Sequence, residues 1–98
     1  MIKILGGIIL DYNKLLAAYR SLWTNRELKA LEGDEKEILL EAIERDLKDE
    51  NAHPRVRKDP HIKFFWAVKR IGQGAISDEE KLQLIDIHIE IVERLDHT

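Results

Sequence analysis

The chain has 98 residues, of which 44% are apolar and 36% are charged, and its net charge is −3. A chain of this length has room for one hydrophobic core, so we expect a single domain over residues 1–98. With two prolines and five glycines, the composition is typical of a folded, helix-rich protein. The absence of cysteine excludes a disulfide framework, a thiolate nucleophile and a cysteine-ligated zinc site, and it favours a cytoplasmic location.

The first ten residues, MIKILGGIIL, are almost wholly apolar. The run ends at Asp11, well short of the roughly 20 residues that a membrane-spanning helix needs. Ile4 and Leu5 continue an apolar stripe of period 3.6, so we expect a first helix that begins near Ile2 and ends before Thr24. The rest of this stripe consists of Ile8, Tyr12, Leu15, Leu16, Tyr19, Leu22 and Trp23.

Capping patterns divide the remainder of the chain. Thr24-x-x-Glu27 predicts a short extra helix near residues 25–32. Asp34, with Glu37 three residues later, predicts the start of a second helix that runs to about residue 51.

Two prolines and a further capping box define the last two helices. Pro54 and Pro60 predict a loop over residues 52–60, with Asp59 as the N-cap of a third helix that ends at residues 72–74. Ser77-x-x-Glu80 predicts a fourth helix over residues 78–95. The expected fold is an all-α four-helix bundle built from two antiparallel helical hairpins.

The predicted fourth helix has an apolar arc too broad for one neighbouring helix to cover. It therefore either occupies the centre of the bundle or pairs with a second subunit. The second alternative predicts a homodimer, with a dimer face formed by Leu84, Ile87, His88 and Ile91.

Charge is sorted along the chain: residues 26–50 carry −5, residues 51–76 carry +5 and residues 77–98 carry −5. Projection of the third helix places Phe64 and Phe65 inward. The outward positions, extended by two arginines of the preceding loop, are Lys63, Trp66, Lys69, Arg70, Arg55 and Arg57. A tryptophan among cations is an anchor type enriched at protein interfaces. This basic surface either pairs with the acidic helices or binds a partner, which we expect to be a protein rather than nucleic acid or anionic lipid.

Three patterns resemble metal sites without completing them. Residues 74–80 match the second half of an EF-hand loop, but the first half lacks its carboxylates. Glu90-x-x-Glu93 is similar to the acidic helices of all-α nucleotide pyrophosphohydrolases, yet it lies on the most polar sector of its helix. Glu50-x-x-His53 matches half of a di-iron motif. We therefore expect no metal and no cofactor.

Arg55 and His61, separated by five residues, resemble the short signature of helical nucleotide-binding ribonucleases. Val56 stands where that signature has a polar residue. We therefore predict that the chain is not an enzyme.

The sequence favours a small cytoplasmic, non-enzymatic helical module for protein interaction, an adaptor or a regulator. One alternative is a protein similar to the four-helix bacteriocin immunity proteins, which it resembles in size, helix order and capped C-terminal helix. A second alternative is a nucleic-acid-binding protein that uses residues 55–70. The absence of cysteine, one methionine and two glutamines favour a thermophilic source.

Overall fold

The computed structural model describes residues 4–5, 8–9, 11–23 and 34–96. Over these residues the protein is a four-helix bundle, as predicted, and none of the four helices is long and apolar enough to cross a membrane. The helices are α1 (Tyr12–Leu22), α2 (Glu35–Leu47), α3 (Pro60–Gln73) and α4 (Asp78–Asp96). The predicted short helix near residues 25–32 lies outside the described residues.

Two short strands precede α1, where the sequence predicted helix. Strand β1 (Ile4–Leu5) pairs antiparallel with β2 (Ile8–Ile9), with Ile4 opposite Ile9. Isoleucine is β-branched and suits extended backbone better than helix. The predicted start near Ile2 is therefore wrong: α1 begins at Tyr12, because the Asp11 carboxylate accepts the amide hydrogens of Asn13 and Lys14.

The other helix starts agree with the capping patterns. Asp34 accepts from the Glu37 amide at 2.9 Å, and Asp59 accepts from the His61 amide at 2.8 Å ahead of Pro60. Ser77 and Glu80 form a complete capping box: the Ser77 hydroxyl accepts from the Glu80 amide, and the Glu80 carboxylate accepts from the Ser77 amide, each at 3.1 Å.

Helices α3 and α4 form the antiparallel hairpin that the short linker predicted. At one end His61 lies 2.8 Å from Asp96. At the other end the Lys81 ammonium donates to the Gly72 carbonyl at 3.0 Å. These two contacts fix the register of the pair along its whole length.

Helices α1 and α2 differ from the expected hairpin. The Lys36 ammonium, at the start of α2, lies 5.6 Å from the ring centre of Tyr12 at the start of α1. Near the other ends, Trp23 and Asp46 line one cavity. The two helices therefore run in the same general direction, and an antiparallel pair is not formed here. Capping and periodicity are local signals, so they fix where helices begin and leave open which ends meet.

The core lies between all four helices, and α4 contributes its centre. Leu84, Ile87, His88 and Ile91 are at most 4% exposed in the single chain. These are the residues that the sequence offered as a dimer face, and that assignment is corrected: these four positions are buried within the single chain, in the core that α4 shares with the other helices, so they leave no face for another subunit.

Candidate partner-binding face

Six large apolar side chains of the described residues are exposed, and five of them lie on the α3–α4 hairpin. Three are on α3: Ile62, Phe65 and Trp66 are 44%, 64% and 49% exposed. The exposure of Phe65 corrects the prediction that both phenylalanines point inward. Phe64, Ala67 and Ile71 form the stripe that faces the core, and Phe65 falls outside it, whereas Phe64 packs partly buried against the core.

Trp66 forms one wall of a cleft of about 460 Å³ between the end of α1 and the second half of α3. The cleft is lined by Ser21, Leu22, Trp66, Lys69, Arg70, Gln73 and Gly74. Leu22 and Trp66 supply apolar surface, and Lys69 and Arg70 supply positive charge. A Cβ atom added at Gly74 would overlap the Leu22 side chain, so the glycine allows this close approach.

We call five residues of this lining the Trp66 face: Leu22, Trp66, Lys69, Arg70 and Gln73. Lys69 forms no ion pair with any residue of the described ranges, and its side chain is exposed. The sequence predicted Trp66, Lys69 and Arg70 for this surface. It missed Leu22 and Gln73, because Leu22 belongs to the apolar stripe of another helix and only the packing of α1 against α3 brings it here.

Lys63 has a different role from its neighbours on α3. Its ammonium lies 3.4 Å from Asp46 and 3.5 Å from Asp49, and the side chain is 17% exposed. It also lies 5.7 Å from the ring centre of Trp66. Lys63 therefore pairs with an acidic helix of the same chain, which is one of the two roles that the sequence allowed for the basic surface. It connects α3 to the end of α2 and supports the Trp66 ring.

A smaller cavity of about 90 Å³ lies on the inner side of Trp66. Its lining is Trp23, Asp46, Lys63, Trp66, Ala67 and Arg70. The Arg70 guanidinium lies 5.0 Å from the ring centre of Trp23, a cation–π contact that holds this arginine between the cavity and the outer cleft.

Beneath Arg70 the aromatic rings continue into the core. Trp23 stacks on Tyr19 with ring centres 4.4 Å apart, and His88 lies 6.0 Å from Trp23. Burial raises the pKa of the Tyr19 hydroxyl, and the nearby Asp46 carboxylate acts in the same direction. The stack supports Arg70, because the guanidinium lies over the Trp23 ring and Trp23 is itself stacked on Tyr19.

His88 is fully buried and neutral at neutral pH. Burial lowers the pKa of its imidazole, and the hydrogen bond to Leu84 opposes this effect. Its Nδ1 donates to the Leu84 carbonyl at 2.7 Å, and its Nε2 is buried without a hydrogen-bond partner. Groups of three or more potential metal ligands do not occur in the described ranges.

The two arginines of the loop before α3 are not part of the Trp66 face. Arg57 donates to the carbonyls of Ala52 and Glu50 at 3.2 and 3.4 Å, so it holds the loop against the end of α2. Arg55 lies in the middle of a 3₁₀ turn (Pro54–Val56), and its amide donates to His53 Nδ1 at 3.2 Å. Neither arginine lines the cleft with Trp66.

The chain resembles known proteins over most of its length. The YoyC family matches residues 10–98, a range that includes all four helices and the whole Trp66 face. The uncharacterized protein YoyC of Bacillus subtilis (strain 168) is 39% identical over 82 residues, which cover 84% of this chain and 86% of that protein. No solved structure matches the chain significantly. The chain belongs to the YoyC family.

Proposed function

We propose that this chain is a non-enzymatic protein-interaction module that binds an acidic segment of another protein on the Trp66 face. The observation that carries the proposal is the half-exposed Trp66 beside a cleft whose rim holds two cations, Lys69 and Arg70. Tryptophan and arginine are enriched among residues that dominate binding energy at interfaces.

The chemistry of the cleft indicates which partner segment it would accept. Leu22 and Trp66 offer an apolar floor to one large side chain of the partner. Lys69 and Arg70 would attract carboxylates placed next to that side chain, and Gln73 offers an amide for one further hydrogen bond. We therefore expect a segment in which acidic residues flank an apolar anchor.

Rigidity of the face supports the same proposal. Arg70 is held over Trp23, and Trp66 is supported by Lys63, which is itself bound by Asp46 and Asp49. Binding to side chains that are already held in place costs less conformational entropy than binding to mobile ones.

Nucleic-acid binding has less support. Of the cations that the sequence offered for it, Lys63 lies between two aspartates, and Arg57 donates to the backbone carbonyls of Ala52 and Glu50. The aspartates beside Lys63 would repel a phosphate backbone.

The proposal predicts a selective loss of binding in Trp66→Ala. We expect this variant to bind the partner captured from extracts of the native cell at least about thirtyfold more weakly, because the anchor ring is lost. It should remain folded, since half of the ring is already exposed. Isothermal titration of the captured partner measures the effect.

Val56→Ala is the matched control, because Val56 is 64% exposed and lies outside the cleft. It should bind like the wild type. Lys69→Glu should weaken binding and reduce its dependence on salt. Equal affinities of Trp66→Ala and Val56→Ala for the partner would reject the Trp66 face as the binding site.

A further inference from the structure

Gly74 follows the last residue of α3 in a backbone conformation that does not require glycine. Its φ and ψ are −76° and 160°, which is extended backbone that any residue adopts. Glycine loses more conformational freedom on folding than a residue with a side chain, so alanine would favour the folded state on backbone grounds alone. Whatever excludes a side chain at this position therefore lies in the surroundings of Gly74.

The surroundings consist mainly of the Leu22 side chain, which lies where a side chain at position 74 would begin. An ideal Cβ atom at Gly74 overlaps Leu22 Cδ2 and lies 3.3 Å from Leu22 Cδ1. Gly72, two residues earlier, differs in this respect. No heavy atom of the described residues lies within 4 Å of an ideal Cβ atom there, its chain neighbours and its own helix backbone aside. The close contact is therefore specific to Gly74 and Leu22.

This contact determines how far Leu22 extends into the Trp66 cleft. On one side Leu22 packs, partly buried, against the close-packed core. On a second side its branched end rests on Gly74, and both residues line the cleft together with Trp66. A Cβ atom at position 74 would push the end of Leu22 away from the backbone. Because the core side is filled, that end would move into the cleft and make its apolar floor shallower.

We propose that Gly74 is a specificity-determining residue of the Trp66 face, which keeps the apolar floor deep enough for a large anchor side chain such as leucine or phenylalanine. The inference rests on the binding proposed for that face. It adds the size of the anchor that the partner segment carries and the residue that selects it.

A set of synthetic acidic nonapeptides tests the proposal. The peptides are identical except at the central position, which is alanine, leucine or phenylalanine between flanking aspartates and glutamates. Isothermal titration should show that the wild type binds the leucine and phenylalanine peptides about fivefold or more tightly than the alanine peptide. Gly74→Ala should lose this preference, because the displaced Leu22 side chain fills the space that the large anchor needs.

Two controls show whether the change acts through Leu22. Gly72→Ala adds the same methyl group in open space, so it should bind the three peptides like the wild type. In a Leu22→Ala background, Gly74→Ala has no branched side chain to displace, so it should leave the affinities for the three peptides unchanged. The side-chain end that must move is flexible, so we expect Gly74→Ala to fold with the helix content of the wild type.

Trp66→Ala separates failure of this inference from failure of the proposed function. If the wild type binds none of the peptides, or if Trp66→Ala binds them equally well, both proposals are wrong. If Trp66→Ala loses binding but Gly74→Ala keeps the preference of the wild type for large anchors, only the role of Gly74 is wrong. Unfolding of Gly74→Ala, or an equal effect of Gly74→Ala in the Leu22→Ala background, would also overturn that role.

Discussion

At the residue scale, His88 shows most clearly how a polar group is placed in this core. One ring nitrogen donates to the Leu84 carbonyl one turn earlier on α4, and the other is buried without a hydrogen-bond partner. A buried polar atom of this kind costs free energy, and the cost is greatest when the ring is charged. His88 is therefore tolerated as a neutral residue.

The lowered pKa of His88 predicts that acid destabilises the fold. The unfolded chain binds a proton near the ordinary value of 6.5, and the folded chain binds it only at lower pH. The free energy of unfolding should therefore fall as the pH drops below about 6.5, by at most about 1.4 kcal/mol per pH unit for one proton. Urea denaturation on both sides of that pH measures the slope.

His88→Leu should remove this slope even if it changes the absolute stability. His61 acts with the opposite sign: its bond to Asp96 raises its pKa, so its stabilising contribution is present below pH 6.5 and is lost as the pH rises through the raised value. A His61→Gln background isolates the effect of His88. An acid slope that persists in His88→Leu would contradict this account.

At the same scale, the exposed aromatic residues were only partly predictable from the sequence. Trp66 falls on the outward sector whichever apolar residues define the core face of α3, so its exposure could be predicted from the sequence. Phe65 is adjacent to Phe64 in the sequence, and hydrophobicity favours burying both. The structure shows Phe64 partly buried against the core and Phe65 largely exposed, and this depends on how the helices pack together rather than on α3 alone.

At the element scale, Asp49 lies just after the C-cap of α2 and connects this helix to α3. It is the non-glycine residue of the described ranges with a left-handed backbone, at φ 54°. Its carboxylate accepts from the Lys58 amide at 2.9 Å and pairs with the Lys63 ammonium. The Lys58 amide is the main reason why the pKa of this carboxyl is lowered, with Lys63 adding to it.

Asp49→Ala should lower the melting temperature more than Asp49→Asn. Asparagine tolerates the left-handed conformation and can still accept from the Lys58 amide, whereas alanine does neither. We expect the melting temperatures of the two variants to differ by roughly 5 °C, because this is the shift that a free-energy difference of about 1 kcal/mol produces in a domain of this size. Differential scanning calorimetry measures both, and equal melting temperatures would show that Asp49 does not hold the loop.

The starts of α2, α3 and α4 could be predicted because a cap is a contact within three residues. The start of α1 has a cap of the same kind, Asp11, but the prediction followed the apolar period instead. The apolar period continues through Ile4 and Leu5, and nothing in a helical wheel records that Ile4 pairs with Ile9 as extended backbone. Periodicity therefore failed here because a short hairpin competed with the helix.

At the scale of the whole molecule, the basic residues that are grouped in one segment of the sequence have two roles in the structure. Part of the basic segment is internal, because Lys63 joins Asp46 and Asp49 and thereby α3 to α2. Arg94 of α4 similarly bonds Glu44 of α2 at 2.7 Å. Lys69 and Arg70 of the same segment border the Trp66 cleft. The sequence could identify the segment but not this division, which depends on which helices are neighbours.

The direction of α1 relative to α2 is the largest feature in which the structure differs from the sequence prediction, which was an antiparallel pair. Residues 23–34 lie between the two helices and are long enough for either direction, so the loop length does not decide between them. The direction matters for function, because it brings the end of α1, with Leu22 and Trp23, against α3. Both walls of the Trp66 cleft depend on that contact.

The central claim is that a partner covers Trp66, and acrylamide quenching of its fluorescence tests this most directly. Trp23 is 8% exposed, whereas Trp66 is 49% exposed, so a Trp23→Phe variant that folds like the wild type reports on Trp66 alone. We predict that saturating partner protects Trp66 from quenching several-fold relative to the free protein. A partner that binds with full affinity and leaves Trp66 as accessible as before would contradict the proposed function.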